Sequence, residues 1–341
     1  MLVGERSAVL VLLLASCARE DDAAVVVAAP DAGAPVGADA TAPVDAGACS
    51  GIECSKIKLA FRHVFAGETD RGERTLSYAW RSFGTNVDGI VSNYTKRDEC
   101  KPPEGAFYAP PDGDEGIDNV WGQSIVPLLA PWDATPTKSA NAAIERGGRT
   151  PVLVLGAISG GIVESTLEAW FSFVEASPTT PAWNGTDVRM LAAAYAPVVS
   201  YRAGKFANGI FDSGPAEGAV PLELALGTQS IVLPVRGLRV RFELRPDNSS
   251  SAGVLSGIVS VADMTLAAIV HVARTKPEVC SGQQLEGLRA AIRQAADVLA
   301  DGARDPTRTC DAISFGMGFD AAPIELRGVA APIAVPPTIC P

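Results

Sequence analysis

The chain has 341 residues, with 39 acidic against 28 basic side chains and a formal net charge of −11. That balance argues against nucleic-acid binding, which needs a basic footprint to neutralise phosphates, and it suits an exported, non-sticky protein. With 2 histidines in the whole chain, a histidine-based triad or a multi-histidine metal centre has little raw material.

Near the N-terminus, Arg6 precedes an apolar run from Ala8 to Ala15. The run is too short for a membrane span, which takes roughly 20 apolar residues, and fits the core of a signal peptide over residues 1–16. It ends in Leu14-Ala15-Ser16-Cys17, which resembles the lipobox of bacterial lipoproteins. The resemblance implies cleavage before Cys17, acylation there, and a palmitate-type anchor in a lipid bilayer. A thiol is required because its thiolate takes the lipid, and two or three acyl chains hold stably where one holds marginally. Ala18 rather than aspartate follows Cys17, and the resemblance then implies sorting to the outer membrane, facing the periplasm or the surface.

Residues 17–48 consist of the acylated cysteine and an Ala/Pro/Asp/Gly/Val stretch without an aromatic residue. Pro30, Pro35 and Pro43 deny it a long helix. It cannot bury enough apolar area to offset its ordering entropy, so a disordered spacer is expected, about 30 Å across as a coil.

Of 7 cysteines, Cys17 goes to lipid. Cys49, Cys54, Cys100, Cys280, Cys310 and Cys340 remain, an even set that fits disulfides in an oxidising compartment. The expected pair is Cys280 with Cys310, because the two bracket a helix; the other pairings stay open.

From residue 49 to 341 the dominant pattern is alternation with period two, and one disulfide-stapled β-rich domain is expected. In Leu238-Arg239-Val240-Arg241-Phe242-Glu243-Leu244-Arg245 the apolar members face a core and the charged ones face water. Ile57, Leu59, Phe61, His63 and Phe65 alternate likewise. The fully apolar Pro151 to Leu155 reads as a buried strand, and Thr166–Val174, Pro197–Tyr201, Leu222–Leu226, Val254–Val261 and Ile313–Phe319 also read as strands. One long helix is expected over 282–301: Ser281 and Gln284 form a capping box, Leu285, Leu288, Ile292, Ala296 and Leu299 share a face, and Gly302 stops it. Weaker helical patterns cover Ile117–Leu129 and Ser139–Arg146. The expected fold is mainly β, an antiparallel β-sandwich of jelly-roll type with a few helical insertions.

The segment Asp112-Gly113-Asp114-Glu115-Gly116-Ile117-Asp118-Asn119 holds closely spaced carboxylates around glycines, the donor set of a calcium loop. It resembles, over these few residues, the aspartate-rich loops of thrombospondin-type repeats, and Asp112, Asp114 and Asp118 are the candidate ligands. The plainer alternative is a solvated turn capping the helix that follows. Asp88 and Asn86 either reach the same place or make a tight hairpin turn.

The runs Tyr78–Gly84, Val87–Gly89, Cys100, Gly116–Asn119, Thr309–Ser314 and Gly316–Phe319 resemble a group of cysteine-containing secreted lipoproteins of myxobacterial type. The resemblance implies a single-domain unit and carries no activity.

Catalytic patterns are weak. His63 and His271 fall in apolar surroundings that favour packed, hydrogen-bonded rings. There is no Gly-x-Ser-x-Gly elbow, and Gly156 to Gly161 lacks the features of a P-loop or dinucleotide fold. Glu164 with Glu168, or Glu223 with Glu243, would make a carboxylate pair for glycoside hydrolysis only if the fold placed them across a groove. Trp170, Trp183, Tyr195 and Tyr201 would serve as a sugar platform or, more simply, as core. The leading expectation is a membrane-tethered, non-enzymatic envelope or surface module that binds a protein partner or glycan. The alternative is a tethered carboxylate-dependent hydrolase acting on polysaccharide.

Overall fold

Alternating apolar and polar residues form strands wherever one face is buried, and the described residues hold thirteen strands punctuated by four α-helices. The computed structural model describes residues 56–93, 99–106, 111–156, 164–193, 198–226, 229–276 and 281–331. Cys17, the spacer, Cys49, Cys54, Cys280, Cys340, Tyr195 and most of the Gly156–Gly161 turn lie outside them.

In chain order, β1 (Ile57–Phe65) leads through a 3-10 turn at Ala79–Ser82 to β2 (Cys100–Lys101). A π-type turn, Trp121–Ile125, runs into α1 (Val126–Leu129), and α2 (Pro136–Glu145) follows. Then come β3 (Thr150–Leu155), β4 (Glu164–Val174), β5 (Val188–Leu191), β6 (Val199–Ala207), β7 (Ile210–Asp212), β8 (Ala219–Leu226), β9 (Gln229–Leu244) and β10 (Ser250–Ser260). α3 (Val261–Thr275) and α4 (Gln283–Gln294) precede β11 (Asp305–Thr309), β12 (Ala312–Pro323) and β13 (Glu325–Val329).

The expected mainly β, antiparallel architecture with helical insertions is the one that forms. Its pairing goes further than two stacked sheets. The ladder runs β4, β3, β1, β12, β10, β9, β7, β6, and β6 pairs with β4 again. All eight pairings in this ring are antiparallel. The two faces of a sandwich are thus joined along both edges into a closed eight-stranded barrel, which leaves the ring without unpaired edges. β8 lies against the first half of β9, while β5 hangs on the end of β4 and pairs in parallel with β13.

Inside the ring sit Leu59, Phe61, Phe171, Phe242, Phe315 and Phe319, each at most 1% exposed. Phe61 and Phe319 stack with centroids 3.9 Å apart, and Phe171 and Phe242 meet this pair edge-on. Burying an aromatic ring in such a place contributes on the order of 3 kcal/mol. Trp170 and Trp183 are half-buried against a smaller cluster of Ala60, Val152, Val154, Val174 and Ile324, and Tyr201 is buried with its hydroxyl bonded to the Leu238 carbonyl.

Four details depart from the sequence expectations, each for a physical reason. A bulge between Phe61 and His63 resets the phase of β1. Val64 then points into the main core, Phe65 packs outside on Ala79 and Phe83, and His63 lies half-exposed 3.8 Å from Glu145. α4 stops at Gln294 rather than 301, because residues 297 and 298 bond instead to the Ala312 carbonyl. Its N-cap is Gly282, with no side-chain cap bond, so the Ser281/Gln284 box is not made. α3 occupies a stretch for which no helix was expected, and the signal was present: Ser260 caps the Asp263 N–H at 3.0 Å and bonds its carboxylate at 2.6 Å. Finally, Cys310 bonds to Cys100, not to Cys280. The bridge ties β2 to the residue that follows β11 in the small parallel β2–β11 sheet, with Cα atoms 5.3 Å apart.

Candidate functional site

An eight-stranded barrel is just wide enough for side chains to fill or for one small ligand to enter. Here aromatic rings fill the middle. At the end where β1 and β4 finish and β3 begins, the smaller Val64, Ala66 and Met317 take over, and a cavity of about 420 Å³ remains. That lies within the usual size range of ligand sites. α2 roofs it with Ala140, Ala143 and Ile144, and Trp121 and Phe173 supply aromatic wall.

The roof is fastened by hydrogen bonds that its sequence supplies one turn apart. Thr137 accepts the Ala66 N–H at 2.9 Å and donates to Glu68 at 2.9 Å, and Asn141 accepts the Val64 N–H at 2.8 Å. Beyond its bulge, β1 therefore spends these amide groups on α2.

The cavity carries few charges. Arg149 makes a bidentate contact with Glu175, at 2.8 and 2.9 Å, and a further bond to Glu223 at 2.9 Å. Arg146, exposed at the C-terminal end of α2, also lines the cavity and makes no ion pair among the described residues. The indole N–H of Trp121 is buried and has no acceptor among the described residues, an arrangement that calls for a water or a ligand oxygen.

A second constellation lies on the outer side of β12. Gly316 permits it: a side chain there would begin 2.2 Å from the Phe83 carbonyl oxygen, so only glycine lets that segment lie flat on the strand. Asp118 accepts the Val87 N–H at 2.7 Å, Asp88 accepts the Ile90 N–H at 2.7 Å, and Asp112 accepts the Ser92 N–H at 2.5 Å. Asp297, arriving from the end of α4, accepts the Ser314 N–H at 2.8 Å.

Burial, reinforced by the charges of Asp88, Asp297 and Asp112, holds the Asp118 carboxyl far above the usual carboxylate range. Burial likewise raises Asp112 and Asp88, and it raises Asp297 to about 7. The nest therefore keeps protons that exposed acids would lose. Ser92, also buried here, has a hydroxyl with no partner among the described residues.

Of the expected calcium ligands, the structure brings Asp112 and Asp118 together with Asp88 and Asp297. It places Asp114 outside, paired with Arg81 at 3.1 Å on the surface. Asn86 closes its own turn, accepting from the Gly89 N–H and donating to the Ile90 carbonyl. Among the described residues no three carboxylate, histidine or cysteine side chains surround a common point closely enough to hold an ion as they stand.

The carboxylate pairs fare differently. Glu223 enters the barrel-end cavity bound to Arg149, while Glu243 bonds to Ser251 on the exposed side of β9. Glu168 is exposed on β4. His271 is buried in α3, and burial lowers its pKa, keeping the ring neutral. A second cleft of about 480 Å³ is lined by Thr85, Arg236, Arg239, Ser256 and Asp301. There Arg239 is matched by Asp212 and Asp301 by Arg308.

The sequence alone gives Arg149 and Glu175 no role, and Arg146 none beyond closing a helical pattern. Arg146 and Arg149 flank Gly147-Gly148 and look like an ordinary helix stop; only closure of the barrel makes them a rim. Comparison of the chain with protein-family models, with curated proteins and with solved structures gives no match.

Proposed function

We propose that this chain is an exported, lipid-anchored envelope protein whose barrel binds a small ligand with an apolar body, and that it works by binding rather than by catalysis. The observation that carries the reading is the α2-roofed cavity at the barrel end, apolar on most of its surface with a few polar groups converging on it. The Leu14-Ala15-Ser16-Cys17 lipobox supports the anchor and an outer-membrane address. The Cys100–Cys310 disulfide supports an oxidising compartment. Acyl labelling that persists in a Cys17→Ser variant would contradict the anchor.

A small apolar ligand fits better than a glycan, because Trp170 and Trp183, the tryptophans of the sugar-platform alternative, are packed half-buried against a core cluster. Hydrolysis finds less support. In each of the two cavities the lining carboxylate is a single one, Glu223 or Asp301, and each is held by an arginine.

The test is a titration of the full-length Cys17→Ser chain, prepared without detergent, with a fluorescent alkyl probe. Saturable binding is expected. Ala140→Trp, which fills the cavity from its roof, should weaken it by about a hundredfold, the equivalent of about 3 kcal/mol. Equal binding by both proteins would place the probe elsewhere and end the cavity reading.

A second reading concerns the carboxylate nest, as a structural calcium site formed by Asp88, Asp112 and Asp118 with Asp297 behind them. The unpartnered Ser92 hydroxyl beside Asp112 favours it, since calcium collects six to eight oxygens including neutral ones. Closing on the ion requires the carboxylates to turn toward it.

A further inference from the structure

We infer that the ligand of the barrel-end cavity is an amphiphile with a single anionic head, of the long-chain carboxylate class, seated with its head at Arg146 and its alkyl body inside the barrel. The inference rests on the binding reading above and goes further by naming the headgroup. The argument is one of charge matching. Two guanidiniums and one carboxylate line the cavity: Arg146, Arg149 and Glu223. Arg149 is already bound on two sides, by Glu175 and by Glu223, whose side chains are each 12% exposed. Glu223 therefore meets the cavity already ion-paired, although one guanidinium shared by two carboxylates leaves the trio with a net negative charge.

Arg146 is the one full charge of the lining without an opposite partner among the described residues, and it stands in water at the edge of an otherwise apolar chamber. A guanidinium presents forked donors suited to a carboxylate. A cationic head would meet Arg146 repulsively and find the lone acid occupied. A neutral head would leave Arg146 unused. The apolar walls of Val64, Ala140, Ile144, Phe173, Leu224 and Met317 ask for an alkyl body. Trp121, whose buried indole N–H has no acceptor among the described residues, belongs to the same lining.

The experiment measures dodecanoate, dodecanol and dodecyltrimethylammonium as competitors of the alkyl probe on the full-length Cys17→Ser chain. Dodecanoate should bind about tenfold or more tightly than dodecanol, as expected for one charge-assisted contact, and the margin should shrink with added salt. Arg146→Gln should bring dodecanoate down to the level of dodecanol while leaving dodecanol unchanged, and Arg146→Lys should restore part of the difference. Three heads of equal affinity, or a dodecanoate affinity indifferent to Arg146→Gln, would overturn the headgroup assignment and leave the cavity reading standing. Binding of none of the three would overturn the cavity reading itself.

Discussion

Replacing Cys100 and Cys310 together by alanine is expected to lower the stability of the fold by about 5 kcal/mol. The bridge spans 210 residues of sequence, and a cross-link stabilises mainly by removing loop-closure entropy from the unfolded chain, more for longer loops. Both cysteines are buried, at 2% and 3% exposure, so alanine leaves a small apolar void and no stranded polar group. The bond also ties β2 to the residue that follows β11, where their ladder is short. Without it, the segment that delivers Asp88, Asp112 and Asp118 keeps fewer links to β12. Denaturant melts of the double variant and the parent measure the difference. A loss below about 1 kcal/mol, near the floor of the observed range for disulfides, would mean that this bridge does not restrain the unfolded chain.

The second large effect is a pH dependence of the carboxylate nest, measured in chelator. Asp297 titrates near 7 in the folded state, against 3.8 for a free aspartate. The folded protein thus holds that proton more tightly than the unfolded chain does. Its contribution to stability is complete below about pH 4, drains away as pH rises toward 7, and is gone above it. A gap of about 3 units corresponds to about 4 kcal/mol. Asp88, Asp112 and Asp118 are shifted in the same direction. Ion-paired Asp212, shifted downward, works in the opposite sense, so a comparison with a variant is needed.

Asp297→Asn keeps an oxygen for the Ser314 N–H and mimics the protonated acid. Between pH 5 and pH 8 it should gain on the parent by about 3 kcal/mol, the part of the gap that lies above pH 5. Parallel pH curves would show that Asp297 ionises normally. Calcium then separates the two readings of the nest. At pH 8 the ion should raise the parent's melting temperature and leave Asp118→Asn unmoved, whereas Asp114→Ala should respond as the parent does. Identical parent melts in calcium and in chelator would make the nest a proton-sharing turn and nothing more.

How much of this was legible in the sequence depends on range. The β9 alternation of Leu238, Val240 and Phe242 with Arg239 and Arg241 is local, and the structure buries and exposes these residues as the pattern requires. The phase of β1 past Phe61 was illegible, because one inserted residue resets a period of two without changing composition. α3 hid behind Ile269, Val270 and Val272, β-branched residues that favour strands, although its Ser260/Asp263 cap was visible. Barrel closure rests on β4 meeting β6 and β7 meeting β9, pairings that no local pattern encodes. The same holds for the sites. Asp112 and Asp118 are neighbours in sequence and could be named; Asp297 comes from the far side of α4. The cavity could not be foreseen, because it is the space left between a closed ring and a helix laid across its end.

The most direct measurement is a crystal structure of the full-length Cys17→Ser chain grown with a dodecanoate brominated at its alkyl end. Anomalous bromine density inside the barrel end, between Trp121, Phe173 and α2, with the carboxylate at Arg146, is the predicted result. Bromine found only on the outer surface, with the chamber between α2 and Met317 filled by water alone, would contradict a ligand-binding barrel.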